Sequence, residues 1–143
     1  MMRMDKVSES KAPAYFIDLN WFQENSRSFT VIAQRCLCQA CRKRFASEPE
    51  AMTPASLVTN IRDCCSRAPD FISPKLPLLE KIFRLFLSGG NQPLGLTELL
   101  AQFGLYSDNP ASLSPQTLSY LLSNNRYYGF RQKLQEKELG AED

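Results

Sequence analysis

Residues 78–103 read LLEKIFRLFLSGGNQPLGLTELLAQF, the stretch on which the fold turns. Leu78, Leu79, Ile82, Phe83, Leu85 and Phe86 recur at helical spacing and form one broad apolar face. Gly89 and Gly90 end the helix that this face defines, because glycine adopts the left-handed backbone of a helix C-terminus without steric cost. Pro93-Leu94-Gly95 then permits a brief extended stretch, and Leu96 to Phe103 forms a shorter helix closed by Gly104. The spacing predicts a central helix, a minimal strand and a second helix.

Downstream, a polar loop reaches Ser114, which with Pro115 makes an N-cap and first-turn pair. The helix it opens turns Leu118, Leu121 and Leu122 inward and Gln116, Thr117, Ser119, Tyr120 and Ser123 outward, and ends at Asn124 and Asn125. Tyr127, Tyr128 and Phe130 around Gly129 have strand composition, and the expected partner is the Leu94 segment. Upstream, Pro74 and Pro77 break the register. Thr53 caps a helix with Pro54 at its first position, Leu57, Val58 and Ile61 inside, and Cys64 and Cys65 in its last turn. Ser28 caps a longer predicted helix to about Phe45, with Phe29, Ile32, Ala33, Cys36 and Leu37 on its apolar face. Asp18 and Asn20 stand where N-caps precede a short segment at Trp21 and Phe22. The fold class expected is mainly α: a helical cysteine-cluster region at 14–73 packed on a domain with a minimal β-sheet at 74–132. A flexible tail at 1–13 and a charged tail at 133–143 flank them.

The order from Leu76 to Arg131 resembles the winged-helix branch of helix-turn-helix domains. LLEKIFRLFLSGGNQPLGLTELLAQF is similar to a first and second helix joined by the first strand, and SLSPQTLSYLLSNNRYYGF to a third helix entering the wing. In that family the third helix commonly lies in the DNA major groove. The resemblance therefore implies nucleic-acid contacts from Gln116, Thr117, Ser119, Tyr120 and Ser123, with Asn125 and Arg126 at the helix end and Arg131 on the strand.

The cysteines carry the chemistry. Cys36, Cys38 and Cys41 form C-x-C-x-x-C, Cys64 and Cys65 are adjacent, and the 143-residue chain has five cysteines and no histidine. Clustered thiolates suit tetrahedral zinc or an iron–sulfur cluster, and the lack of histidine excludes every mixed Cys/His site. The candidate ligands are Cys36, Cys38 and Cys41 with Cys64 or Cys65. On a helix Cys38 and Cys41 face the same way, whereas Cys36 and Cys38 do not, nor do Cys64 and Cys65, so all five cannot meet one ion without local unwinding. The other readings are buried cysteines that bind no metal and a reversible disulfide switch.

A second signal is basic. Arg27, Arg35, Arg42, Lys43 and Arg44 occur with no Asp or Glu between Arg27 and Phe45, a pattern that suits phosphate contacts or a solvated helix end. Tyr15, Phe16, Trp21 and Phe22 read as core, with base stacking the lesser alternative. Nothing assembles into an enzyme: Gly89-Gly90 lacks a phosphate-binding pattern, and the serines have no histidine base. A formal net charge of +2 says little about partners, and no apolar run has membrane-spanning length or the form of a secretory signal. The expectation is a cytoplasmic, transcription-related factor that binds nucleic acid, DNA first, with a structural thiolate metal site and no small-molecule substrate. The alternatives are a protein-interaction module of a larger complex and a metal or redox sensor.

Overall fold

A computed structural model of the chain describes residues 13–104 and 113–133. The tails expected at the two ends and the polar loop before Ser114 lie largely outside these residues; Lys133, assigned to the charged tail from sequence, is the last residue of a strand.

The described chain is mainly helical with a small antiparallel sheet. Strand β1 is Ala14–Ile17, β2 is Leu94–Gly95 and β3 is Phe130–Lys133. The sheet order is β2-β1-β3, with Ala14 opposite Gly95 on one side and Lys133 on the other, and Ile17 opposite Phe130. This corrects the expected pairing of the Tyr127–Phe130 segment with Leu94. That strand starts at Phe130 and pairs with the segment before Asp18, which carries no periodic signal beyond the four residues AYFI. Tyr15 and Ile17 point into the core with the period of two that a strand imposes.

Seven α-helices follow among the described residues: α1 Leu19–Glu24, α2 Phe29–Gln34, α3 Gln39–Ser47, α4 Pro54–Asp63, α5 Leu78–Ser88, α6 Leu96–Gly104 and α7 Pro115–Ser123. Short 3-10 turns lie at Pro49–Ala51 and Cys65–Arg67. The caps are those read from sequence. Asp18, Ser28, Thr53 and Ser114 each accept a backbone N–H of the first turn, and Thr53 completes a reciprocal box with Ser56.

The helix expected from Ser28 to about Phe45 is two helices. After Gln34 the amides of Arg35, Cys36 and Leu37 donate to carbonyls three residues back, and Cys38 turns to an extended backbone at φ −75°, ψ 167°. The break leaves carbonyls without helical partners, and two arginines take them. Arg42 donates from Nε to the Leu37 carbonyl at 3.1 Å and from Nη2 to that of Arg35 at 3.3 Å, and Arg84 of α5 reaches the Arg35 carbonyl at 3.2 Å.

Helix α5 is the centre of the core, burying Ile82, Phe83, Leu85, Phe86 and Leu87. Phe83 lies 6.2 Å from Phe29 and 6.5 Å from Phe130, centroid to centroid, so one apolar cluster joins the cysteine-bearing helices to the sheet. Tyr15 and Phe22 are fully buried there and Trp21 packs against the cluster, while Phe16 is half-buried outside it. Lys81 is buried with its ammonium 5.3 Å above the Phe103 ring. Among the described residues no helix is long and apolar enough to cross a membrane.

Candidate metal centre

The helix break positions the thiols. Cys38 is the N-cap of α3 and Cys41 lies one turn inside it; Cys64 is the C-cap of α4, and Cys65 opens the 3-10 turn that follows. Because Cys64 leaves helical geometry at φ −128°, ψ −63°, the adjacent side chains of Cys64 and Cys65 need not diverge as they would on a continuous helix. The four Sγ atoms lie within 4.8 Å of one another. Sulfurs at the corners of a tetrahedron with Zn–S bonds of about 2.3 Å stand roughly 3.8 Å apart. Here Cys38 and Cys64 are 3.8 Å apart, and Cys38 and Cys65 3.5 Å. Four thiols thus stand close enough to hold one metal ion.

The surroundings favour a thiolate at Cys38. The Cys38 amide donates to Cys65 Sγ at 3.1 Å. The Cys41 amide, at the start of α3, together with neighbouring thiols, brings the Cys38 thiol down to about 7. Burial pushes the Cys41 and Cys65 thiols up, so they are neutral until a cation offsets the desolvation.

Cys36 does not join the four. It is buried on the other side of the break, beside a cavity of about 10 Å³ lined by Ile32, Glu80, Phe83 and Tyr128 among others, and burial raises its thiol to about 11. Two residues from Cys38 on an irregular segment, its sulfur faces the core while that of Cys38 faces the cluster. Both Cys64 and Cys65 belong to the group, where the spacing left one of them to be chosen.

The residues assigned to nucleic acid divide by what they touch. Arg42 is tied to two carbonyls, Arg44 donates to Asn60 Oδ1 and covers the Phe45 ring, and Arg131 pairs with Glu24 at 2.7 Å and Asp18 at 3.3 Å. Asn125 is internal: its Oδ1 accepts from the amides of Tyr128 and Gly129, both at 3.1 Å, and its Nδ2 donates to the carbonyls of Leu122 and Phe130. Ser119 meets the Tyr15 hydroxyl at 3.1 Å. Arg35, Lys43, Arg126, Gln116, Thr117 and Tyr120 are exposed, Tyr120 at 66%. An open trough of about 560 Å³ runs along α7, lined by Leu96, Gln116, Ser119, Tyr120, Ser123 and Asn124 without a cation.

The arginine caps of the break went unread in the sequence, although Arg84 inside an otherwise apolar helix face was the available signal. No family model matches the chain, and comparison with curated proteins and with solved structures finds no match.

Proposed function

We propose that the protein is a zinc-stapled interaction module, with one zinc held by Cys38, Cys41, Cys64 and Cys65 and no catalytic role. The observation that carries this is the sulfur spacing, close to the edge of a single tetrahedron. An iron–sulfur cluster interposes several atoms and needs its thiolates farther apart. Zinc when bound supplies a fixed cross-link: it ties the start of α3 to the end of α4, elements joined otherwise by the short turn at Pro49–Ala51 and by packing. Residues 74–132 act in this reading as a winged-helix-like unit, supported by the order α5, β2, α6, α7, β3. Its third helix, α7, offers a neutral polar face suited to a protein surface.

Elemental analysis with an absorption spectrum on protein purified without oxygen tests the reading. One zinc per chain without colour, lost on changing Cys38 or Cys41 to serine and retained on changing Cys36, is the expected result. Iron with sulfide and a brown absorbance overturns it in favour of a sensor.

Nucleic-acid binding is the second reading, favoured by the carboxylate-free run that leaves Arg35 and Lys43 exposed and by Arg126 at the end of α7. It requires duplex affinity that falls steeply with salt and on replacing Arg35, Lys43 and Arg126 together. Affinity indifferent to those changes removes it.

A further inference from the structure

Beside the cysteines, on the outer face of the helix break, lies an open trough of about 420 Å³ between α2 and α3. Leu37 and Phe45 are its buried floor, the half-buried Met52 one wall, and Val31 its lip. Val31 is 56% exposed, one of two large apolar side chains that stand so far into solvent among the described residues. Arg35 and Arg42 complete the rim, and no lining residue is acidic. Three of the other described arginines pair with carboxylates: Arg62 with Asp63, Arg84 with Glu80, and Arg131 with Asp18 and Glu24; Arg27, Arg44, Arg67 and Arg126 form no such pair among the described residues. Among the described residues no carboxylate pairs with Arg35 or Arg42.

We propose that this trough is a docking site for a short amphipathic acidic segment of a partner protein, which places an apolar side chain against Val31, Leu37 and Met52 and a carboxylate against Arg35. The apolar lining supplies affinity and the two rim cations select the sign of charge, the division usual in peptide grooves. Arg42 is held by the Leu37 and Arg35 carbonyls, so its guanidinium is fixed before a ligand arrives and loses little freedom on binding. A nucleic-acid strand fits less well, because the floor is apolar and without an aromatic face in the open: Phe45 is 2% exposed. The proposal rests on the interaction-module reading, and it stands whether or not the metal is zinc.

The experiment is selection of a random ten-residue peptide library displayed on phage against the intact protein, with zinc content measured on the same sample. Enriched sequences then go into fluorescence anisotropy and amide NMR. The expected result is enrichment of Asp or Glu flanking Leu, Ile or Phe, and shifted resonances from Val31 to Arg42. Affinity should fall at least about tenfold on either V31E or R35E. Both side chains are exposed, and the Arg35 carbonyl that matters to the fold is backbone, so the variants keep the core; unchanged zinc content and circular dichroism verify that. Enrichment of basic or neutral peptides, resonances shifted on α7 instead, no enriched peptide, or displacement of the peptide by duplex DNA each overturns the proposal. A zinc-free sample that still selects acidic peptides separates failure of the metal reading from failure of this one.

Discussion

At Gly129 the backbone has φ +70°, and a Cβ would stand 2.6 Å from Phe22 Cε2, inside the packed core. Gly129→Ala therefore combines left-handed strain with overpacking, and a loss of about 2–4 kcal/mol in denaturant unfolding is expected. Asn91 is a second such residue, at φ 61°. Its Oδ1 accepts the Ile17 amide at 2.9 Å and its Nδ2 donates to the Ile17 carbonyl at 2.8 Å, so one side chain imitates a strand residue at the end of β1. Asn91→Gly relieves the backbone yet removes both bonds, and a net loss of about 1–2 kcal/mol is expected from the same measurement. Cys38 carries a prediction in pH. In metal-free protein its thiol, lowered from 9.0 to about 7, is mostly thiolate by pH 8, whereas Cys36, raised to about 11, is not. Alkylation by iodoacetamide should label Cys38 before Cys36, with its rate rising through pH 7 and falling as acid restores the proton. Equal rates at pH 8 contradict the assignment. Caps such as Ser28 and Thr53 were legible because their bonds span three residues; Asn91 was not, because its partner lies 74 positions away.

At the scale of elements, the break between α2 and α3 separates what sequence periodicity can tell from what it cannot. Phe29, Ile32, Ala33, Cys36 and Leu37 fit one helical face, so nothing local announces that the helix stops at Gln34. The stop is stabilised from outside, by guanidinium groups on α3 and α5 that occupy the freed carbonyls. Arg84 is the stronger of the two anchors, since it also donates to the Phe71 carbonyl at 2.8 Å and pairs with Glu80 at 3.0 Å while largely buried. Arg84→Met keeps much of the volume but leaves the Phe71 carbonyl and Glu80 without their partner. A cost of about 2–4 kcal/mol is expected, with hydrogen exchange at Cys36–Cys38 accelerating more than in α4. Uniform acceleration would instead mean that the arginine stabilises the whole core and not the break. Helices α4, α5, α6 and α7 were readable because proline, glycine and capping residues mark their ends. Strand β1 was not, because four residues hold too little pattern to distinguish a strand from a tail.

For the molecule as a whole, the cysteine group and the sheet bring chain segments together over opposite ranges. The four cysteines bring together segments near in sequence, the start of α3 and the end of α4. If zinc is present at a thousandfold over its dissociation constant it adds about 4 kcal/mol, so a strong chelator should lower the melting temperature on the order of 10 °C. Since binding must displace the protons that burial keeps on the Cys41 and Cys65 thiols, that increment should already shrink as the pH falls through the neutral range, and more steeply below the Cys38 value of about 7. The sheet joins segments far apart, because β1 is the middle strand and holds the residues around Leu94 and Phe130 on either side. A chain cut to residues 74–133 should therefore fail to give dispersed amide resonances, even though α5, α6, α7, β2 and β3 all lie within it. Recovery on adding a peptide of residues 13–18 would confirm the reason.

The middle position of β1 also has a consequence in time. During synthesis Ala14–Ile17 leaves the ribosome early and finds one edge partner only when Leu94 has emerged, the other only after Phe130. At ordinary elongation rates that interval is on the order of ten seconds. Through it Tyr15 and Ile17, among the most deeply buried side chains of the finished protein, stand in water or under a chaperone, while the thiols of Cys38, Cys41, Cys64 and Cys65 are already made. In the nascent chain the four clustered cysteines are complete first, and the sheet closes last.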